Sequence, residues 1–322
     1  MARHHPLGGH SDGAPSSSRG PFRWHASVKT GFDTHGTRVY NASAMPELPE
    51  VETVARGLRA SLVGRSIVGV DVRWARSVVP PDPPAFARRL TGQEISDVGR
   101  RGKWLVIALG EEDTLLVHLR MSGRLVLESE VCLDDRHLRV LLFLDDDSRL
   151  RFFDQRKFGR MVLTAEPEDM LGDLGPEPLA DDFTPQRFSE MLTRRRGRIK
   201  PLLLNQRFLA GLGNIYTDEA LWRASVHPLR TADTLTPAEV RRLHQAIRSV
   251  LRAAIANGGT TLPDRTYLQA DGQMGEFAGR LGVYGREGQL CPRCGASIER
   301  IRVGQRGTHF CPCCQPLREA KL

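Results

Sequence analysis

Two pairs of cysteines near the end of the chain constrain its fold more than any other feature. Cys291 and Cys294 form one Cys-x-x-Cys pair, Cys311 and Cys314 form another, and sixteen residues separate the pairs. Each pair makes one turn that presents two sulfurs, and a hairpin between the pairs brings them together. So short a hairpin, with few apolar residues, needs a metal ion for stability. The spacing therefore predicts a zinc finger β-hairpin with one structural Zn2+ in a tetrahedral site of four sulfurs, and the alternative is a redox dithiol or free thiols.

The remaining cysteines leave this interpretation unchanged. Cys313 and His309 lie beside the second pair, but Cys311 and Cys314 repeat the spacing of the first pair, and Cys132 is interpreted as an inert thiol. A secreted disulfide protein would spread its cysteines more widely and carry a signal peptide. Residues 1–44 contain no apolar signal core, so we expect a reducing, cytoplasmic setting.

Length and charge set the broad class. The 322 residues are enough for two domains and a small third. The formal net charge of +8 suggests a polyanionic partner, although many basic proteins bind no nucleic acid. No apolar run approaches the ~20 residues of a membrane span, so no membrane association is expected.

The composition and the spacing of apolar residues change three times along the chain. Residues 1–44 are rich in Gly, Ser, His and Arg without a hydrophobic period, and we predict a disordered extension, from a start codon assigned too far upstream or as a removable tail. A helix begins near Glu50, with Val51, Val54, Leu58 and Leu62 on one face. Short strands follow and predict an antiparallel β-sandwich over residues 45–174. The strand-like runs are Ser66–Trp74, Gln93–Val98, Lys103–Leu109, Thr114–Leu119, Arg124–Leu127, Leu138–Leu144, Leu150–Phe153 and Met161–Leu163.

A helical module is predicted over residues 175–264. Gly175-Pro176-Glu177-Pro178 is typical of a linker. Helices are predicted from Thr184 to about Arg194, over Pro201–Leu209, over Asn214–Ala224, and after a capping box at Thr236–Glu239. Residues 265–290 are rich in glycine and are interpreted either as a loop that adapts to a ligand or as connecting chain, ahead of the cysteine pairs; together they form the last predicted domain, residues 265–322.

The segment Met45–Thr53 reads Met-Pro-Glu-Leu-Pro-Glu-Val-Glu-Thr and contains the most reactive candidate. Inside a chain the nitrogen of Pro46 is an amide, but at a chain terminus it is a secondary amine. If translation starts at Met45 and that Met is removed, this amine lies beside Glu47. A secondary amine that attacks a sugar carbon leaves an iminium, an electron sink for eliminations. The following helix directs its N-terminus at this point, which suits a phosphate or a developing anion.

Several other residues have both a functional and a structural interpretation. Lys103 is either a solvated lysine at a strand end or a cation beside the reacting nucleotide. Met121 and Phe158 are either core residues or apolar wedges that enter a base stack. Arg306 is either an exposed loop arginine or a contact held into DNA by the metal-fixed hairpin.

Two further segments suit phosphates. The loop Gly211-Leu212-Gly213-Asn214 opens a helix, where backbone N–H groups hold a phosphate, but a plain turn explains it too. The basic run Arg194–Lys200 is either a solvated face or a phosphate track in front of that loop.

An ordered set of motifs over Met45–Gln315 resembles the formamidopyrimidine-DNA glycosylase family. The motifs are Pro-Glu-Leu-Pro-Glu, Gly-Lys-Trp, His-Leu-x-Met-Ser-Gly, Asp-x-Arg-Lys-Phe-Gly, Leu-Gly-Pro-Glu-Pro-Leu, Gly-Asn-Ile-Tyr-x-Asp-Glu-Ala-Leu-Trp, Val-Tyr-Gly-Arg-x-Gly and a zinc hairpin with Gln-Arg-Gly-Thr. The resemblance implies an α+β multidomain fold: a β-sandwich with a flanking N-terminal helix, a helix–two-turn–helix (H2TH) domain and a zinc finger. It also implies removal of oxidised purines from duplex DNA, followed by cleavage of the abasic site through β- and δ-elimination.

The resemblance also implies a role for each matched residue. Pro46 is the expected nucleophile, Glu47 the general acid and Glu50 a supporting carboxylate, while Lys103 and Arg306 donate protons or contact DNA. The expected DNA contacts and gap-filling residues are His137, Arg156, Arg195, Lys200, Asn214, Met121 and Phe158. Damaged double-stranded DNA is the expected partner of a monomeric protein.

Two rival functions remain open at this stage. One is an enzyme of the endonuclease VIII type, which prefers oxidised pyrimidines, although Leu48-Pro49-Glu50 after Glu47 favours the purine branch. The other is a non-catalytic protein that binds damaged DNA, which applies if Pro46 stays blocked. A zinc-ribbon transcription factor would account for residues 285–322 alone.

Overall fold

A computed structural model describes residues 1, 31–32, 38–39, 45–80, 82–110, 112–128, 136–264 and 267–317. The chain divides into two compact units, Met1–Ala42 and Ser43–Leu322. In the first unit the short strands β1 (Gly31–Phe32) and β2 (Arg38–Val39) pair antiparallel. Most of the segment for which disorder is predicted lies outside the described residues, as does Cys132.

The first helix of this unit, α1, spans Leu48–Leu62 and buries the predicted apolar face. It begins two residues earlier than the sequence indicates, because the Glu50 carboxylate accepts a hydrogen bond from the Glu47 N–H at 2.8 Å and closes the first turn. Gly64, with φ 84°, follows its end in the left-handed conformation that favours glycine.

Nine strands form the predicted sandwich. One sheet has the order β3-β9-β10-β8 and the other the order β4-β11-β7-β6-β5. All neighbours are antiparallel except β4 and β11. The strands are β3 (Ile67–Val72), β4 (Val78–Val79), β5 (Ile95–Arg101), β6 (Trp104–Leu109), β7 (Asp113–His118), β8 (Gly123–Glu128), β9 (Leu138–Leu144), β10 (Arg149–Asp154) and β11 (Arg160–Thr164). Leu, Ile and Val side chains from both sheets and from α1 form the first core.

A second helix, α2 (Pro83–Leu90), was not expected from the sequence. Its surroundings, Pro80-Pro81-Asp82-Pro83-Pro84, resemble a loop. The Asp82 carboxylate nevertheless accepts a hydrogen bond from the Ala85 N–H at 3.1 Å, and proline suits the first turn of a helix. Phe86 and Leu90 anchor this helix in the sandwich core.

The helical module has its own core. It contains α4 (Pro185–Leu192), α5 (Ile199–Leu204), α6 (Asn214–Ala224) and α7 (Pro237–Ala256). The short helix α3 (Glu168–Leu171) precedes the module and packs through Leu171 against Trp104, Leu116 and Val162 of the sandwich. The capping box predicted at Thr236 and Glu239 is present at the start of α7. Helix α5 is shorter than predicted, because residues after Leu204 turn to form the loop before α6.

The last element is the predicted hairpin, formed by β12 (Glu299–Val303) and β13 (Arg306–Phe310). Gly304 and Gln305 form its two-residue turn with φ 54° and 64°, as the twist of a tight hairpin requires. Arg306 follows the turn directly. Among the described residues no helix is both long and apolar enough to cross a membrane.

Candidate active site and metal centre

Pro46 and Glu47 lie at the start of α1, where both are buried. Pro46 borders a small pocket of about 10 Å3 together with Glu50, Thr260 and Tyr267. In the 322-residue chain the Pro46 nitrogen is bonded to Met45, so it is an amide.

The Glu47 carboxylate is held by the N-terminus of α6. Its oxygens accept hydrogen bonds from the backbone N–H groups of Gly213 at 2.7 Å, Ile215 at 2.8 Å and Tyr216 at 3.4 Å. Burial raises the pKa of Glu47, although the Lys103 charge and these N–H groups act in the opposite direction. A carboxyl group with a raised pKa retains its proton nearer neutral pH and suits a general acid.

The glycine loop therefore has a different occupant from the one the sequence suggests. Its N–H groups bind the carboxylate of Glu47. A helix N-terminus suits a carboxylate as well as a phosphate, so the sequence pattern does not distinguish the two anions. A Cβ atom on Gly213 would lie 2.3 Å from the Glu47 carboxyl carbon, and one on Gly211 would lie 2.6 Å from Leu48. Both glycines are needed for this close approach.

Glu50 forms a second buried carboxylate beside Glu47. It accepts hydrogen bonds from the Tyr216 hydroxyl and from the Thr260 N–H at 2.8 Å, in addition to the Glu47 N–H. Burial and the neighbouring Glu47 charge raise the pKa of Glu50 to about 7. Glu50 thus fixes the backbone at Glu47 and links α1 to α6.

Lys103 is the cation of this cluster and is only 5% exposed. Burial lowers its pKa, while the charges of Glu47 and Glu50 raise it. The Arg306 charge also lowers the pKa of Lys103, so the exposed tip of the zinc hairpin faces the same cluster. Lys103 from the sandwich is thus close to both carboxylates, and Arg306 from the hairpin is close to Lys103.

A buried ion pair fixes the zinc hairpin to α6. The Lys200 ammonium is 2.6 Å from the Asp218 carboxylate, and both side chains are fully buried. Lys200 Nζ and Asn214 Nδ2 also donate to the Gly307 carbonyl at 3.1 and 3.0 Å, and the His309 N–H donates to Asp218 at 2.9 Å. Arg306 is therefore held by its immediate neighbours along β13.

The predicted wedge residues lie on two adjacent turns, residues 120–123 and 156–159, which we call the paired turns. Phe158 is 49% exposed, and the Arg156 guanidinium lies 5.2 Å from the centre of its ring. The fully buried Asp154 holds the paired turns together, since it accepts hydrogen bonds from Ser122 Oγ at 2.5 Å and from the Gly159 N–H at 2.7 Å. Met121 is half-buried beside Ser122.

His137 and Arg195 lie on other segments than the buried carboxylates. His137 is half-buried and its carbonyl accepts a hydrogen bond from the Asp154 N–H at 2.9 Å, so it borders the paired turns. Arg195 is exposed just beyond α4. The structure therefore brings Pro46, Glu47, Glu50 and Lys103 together, with Arg306 near Lys103. Lys200 and Asn214 lie where the zinc hairpin meets α6, and Met121, His137, Arg156 and Phe158 lie on or beside the paired turns.

Three residues important for this geometry were not predicted from the sequence: Tyr216, Asp218 and Asp154. All three are polar and almost fully buried. The run Thr217-Asp218-Glu219, inside an otherwise apolar helix, is a signal that was available, but one sequence does not reveal which side of a helix is buried.

The metal centre fits one zinc ion. The sulfurs of Cys291, Cys294, Cys311 and Cys314 all lie within 4.8 Å of one another. Two of the separations are 3.9 Å (Cys291–Cys314) and 3.4 Å (Cys294–Cys311), whereas a tetrahedron of Zn–S bonds of ~2.3 Å has edges of about 3.8 Å. Cys313 is exposed and outside the cluster. One structural Zn2+ with these four ligands is thus confirmed.

Loss of one ligand should remove the zinc. We expect Cys294→Ser to lower bound zinc from about one ion per chain to nearly none. Thermal unfolding should shift down by at least about 5 °C, because the hairpin has little apolar core of its own. Metal analysis and calorimetry measure both effects. Cys313→Ser is the matched control and should change neither; loss of zinc in that variant would mean that the ligand set is wrong.

Helix α6 connects the start of α1 with the zinc finger. Its N-terminus holds Glu47, while the Glu219 carboxylate accepts hydrogen bonds from the N–H groups of Gly282, Val283 and Tyr284 at 2.9 Å. At its C-terminus Arg293, between the first two zinc ligands, donates to the carbonyl of Trp222 at 3.2 Å. A cation at that end is favourable for the helix dipole.

Three family models match the chain in the order of its domains. The formamidopyrimidine-DNA glycosylase N-terminal domain matches residues 45–161, the H2TH domain of these enzymes matches residues 174–266, and the zinc finger found in FPG and IleRS matches residues 288–317. Together with the fold, these matches define an H2TH protein with a zinc finger. The chain belongs to the formamidopyrimidine-DNA glycosylase family.

Similar proteins align with this chain over almost their whole length. A formamidopyrimidine-DNA glycosylase of Chloroflexus aggregans is 50% identical over 276 residues, which are 85% of this chain and 99% of the relative. A solved complex between a mutant of Lactococcus lactis FPG and a Fapy-dG containing DNA has a TM-score of 0.79 at 38% identity, covering 84% of this chain and 100% of that one. A complex between Lactococcus lactis Fpg and an abasic site containing DNA has a TM-score of 0.78 at 38% identity, covering 84% and 99%.

Proposed function

We propose that this chain is a base excision repair enzyme that removes oxidised purines from duplex DNA and cleaves the resulting abasic site. It is a DNA glycosylase with abasic-site lyase activity. The observation that carries the proposal is the position of Pro46, which borders a small pocket with the buried Glu50 and directly precedes the buried Glu47; the buried Lys103 ammonium interacts with both carboxyls. Membership of the glycosylase family supports the same assignment.

The first chemical step replaces the damaged base by the protein. The Pro46 amine attacks C1′ of the flipped nucleotide, the N–C1′ bond forms, and the glycosidic bond breaks with its electron pair leaving on the base. The carboxyl of Glu47 then protonates the ring oxygen as the C1′–O4′ bond opens. The nitrogen loses its proton and an iminium remains between Pro46 and C1′.

The iminium drives both eliminations. It acidifies the C2′ protons, so loss of one proton expels the 3′ phosphate, and a second elimination expels the 5′ phosphate. We assign Lys103 and Arg306 to proton donation and to phosphate contact during these steps, since Lys103 interacts with both carboxylates and Arg306 interacts with Lys103. A one-nucleotide gap results.

The paired turns supply the group that fills the duplex where the nucleotide leaves it. We assign this role to Met121, Arg156 and Phe158, because the exposed Phe158 and the half-buried Met121 are apolar side chains on rigid turns, which suit insertion into a base stack, and the exposed Arg156 lies beside Phe158. His137, Arg195 and Asn214 are proposed to contact the DNA backbone. The contact predicted for Lys200 stays a prediction, since its ammonium is buried against Asp218 and would have to leave that carboxylate to reach a phosphate.

The active form is proposed to begin at Pro46. Only a terminal proline has the nucleophilic amine that the chemistry requires, and the family model starts at residue 45. A free α-amino group has a pKa of ~8, so a modest fraction is unprotonated near neutral pH. We further propose that this form acts as a monomer on DNA in the bacterial cytoplasm.

Borohydride trapping tests the proposed function. The Pro46-start protein is incubated with duplexes that contain 8-oxoguanine, an oxidised pyrimidine or no lesion, and sodium borohydride reduces any imine to a stable adduct. We expect adduct formation to be fastest with 8-oxoguanine and absent without a lesion. Faster reaction with the pyrimidine would indicate the endonuclease VIII type. No adduct from zinc-loaded protein would favour a non-catalytic protein that binds damaged DNA.

A further inference from the structure

Lys103 lies on the tip of the β5–β6 hairpin and needs support from outside that hairpin. Arg101 pairs with Trp104, so Gly102 and Lys103 form a two-residue turn in which Gly102 has φ 57°. Glycine at the first turn position provides the positive φ that such a hairpin requires. The two backbone residues at the tip make few ladder hydrogen bonds, so contacts with other elements must fix the position of Lys103.

The side chain that makes these contacts is Glu177, in the segment that the sequence identifies as a linker. Its carboxylate accepts hydrogen bonds from the Gly102 N–H at 2.6 Å, from Arg101 Nη1 at 3.0 Å and from Arg100 Nη1 at 2.7 Å. Three consecutive residues before Lys103 therefore bind one carboxylate. Charge-assisted hydrogen bonds of this kind are short and directional.

The same turn is also tied to the start of α1 and to the linker backbone. Arg100, whose side chain is 8% exposed, donates through Nε to Glu52 at 2.8 Å. Arg101 Nη2 donates to the carbonyls of Leu174 and Gly175 at 2.9 and 2.8 Å. Linker, hairpin tip and α1 thus form one polar network.

The tip also packs on the loop that holds the catalytic carboxyl. A Cβ atom placed on Gly102 would lie 3.3 Å from Leu174 and 3.5 Å from Ala210. The neighbouring Gly211 carbonyl accepts a hydrogen bond from the Leu48 N–H at 3.0 Å, one residue after Glu47. A displacement of the tip would therefore change the distance between Lys103 and Glu47.

We infer that Glu177 is a positioning residue for Lys103: through Arg100, Arg101 and the Gly102 N–H it fixes the lysine ammonium opposite Glu47. The inference rests on the proposed function, because it assigns Lys103 to the reaction. The linker between the sandwich and the helical domain is then part of the catalytic apparatus.

The test compares Glu177→Gln with wild type in the zinc-loaded, Pro46-start protein. Glutamine retains an acceptor for the Gly102 N–H but loses the charge that binds both arginines. We expect the single-turnover rate on 8-oxoguanine duplex to fall roughly ten- to hundredfold, since small misplacements at a reacting centre have effects of this size. The dissociation constant for a duplex with a tetrahydrofuran abasic analogue should be unchanged.

The pH profile separates positioning from a general loss of stability. Lys103 lowers the pKa of Glu47, while Glu50 and Lys200 also face Glu47 and stay in place in this variant. In the profile of single-turnover rate against pH, the apparent pKa that Glu47 determines should therefore rise in Glu177→Gln. An unchanged profile with a rate that falls only in proportion to the folded fraction would overturn the inference.

Two further variants complete the design. Glu128→Gln removes the carboxylate that pairs with Arg151 in the other sheet, and it should leave the pH profile of the rate unchanged. In a Lys103→Met background, Glu177→Gln should add no further loss of rate, because both changes act through one ammonium; additive losses would overturn the inference. If wild type forms no borohydride adduct, the proposed function itself fails; if wild type reacts and Glu177→Gln matches it, only the positioning role fails.

Discussion

The 322-residue form should yield no borohydride adduct with 8-oxoguanine duplex, whereas the Pro46-start form should react completely. In the longer form the Pro46 nitrogen is conjugated with the carbonyl of Met45, so its lone pair cannot attack C1′. The expected effect is loss of the whole covalent pathway. Denaturing gel electrophoresis of adduct and of cleaved strand measures both activities.

A third form separates chemistry from obstruction. One glycine placed before Pro46 blocks the nitrogen with the smallest possible addition. We expect this form to lose adduct formation and strand cleavage while it still binds a tetrahydrofuran-containing duplex. If the glycine-extended form or the 322-residue form gave an adduct, another amine would have to be the nucleophile and the assignment of Pro46 would be wrong.

Replacement of Glu47 by Gln should slow adduct formation from 8-oxoguanine by about a thousandfold, within the range of general acid catalysis. The amide has no acidic proton for the ring oxygen. A pre-formed abasic site is already in equilibrium with its open aldehyde, so adduct formation from that substrate should be much less affected. Equal losses on both substrates would contradict the role of Glu47 as the acid that opens the ring.

The structural cost of that change needs its own control. A glutamine NH2 group would face at least one of the backbone N–H groups that now donate to Glu47, so the protein should also lose stability. Glu219→Gln places an amide in an equivalent cradle of three N–H groups. The two variants should unfold at similar temperatures, but only Glu47→Gln should discriminate between the lesion and the abasic site.

The fold could be predicted from the sequence where one pattern determines one element. A series of short strand-like runs predicted the sandwich, the capping box at Thr236 predicted α7, and the cysteine spacing predicted the zinc hairpin. The prediction of Pro201–Leu209 as one helix was too long for a tertiary reason. Gln206 leaves the helix to bond the glycine loop: it donates to the Leu212 carbonyl at 2.8 Å and accepts from the Gly211 N–H at 2.9 Å.

The site was predictable only in part. The motif match identified the reactive residues, but spacing alone could not show that the glycine loop binds Glu47, since a carboxylate and a phosphate have the same requirements. The role of Glu177 was hidden for a similar reason. Gly-Pro-Glu-Pro is a typical linker, and nothing in it shows that three donors from a distant hairpin converge on the one carboxylate.

The buried polar contacts of α6 bear on how the molecule unfolds. Glu47 belongs to the sandwich, Lys200 to the helical module and Gly307 to the zinc hairpin, and each is bonded directly to α6 or to a side chain paired with it. Separation of any one domain would break these buried hydrogen bonds and the Lys200–Asp218 ion pair or its link to the hairpin, and would expose the core residue Leu48, which packs on the helical module. The three domains should therefore unfold in a single cooperative transition, and an isolated sandwich or an isolated helical module should not be a stable fragment.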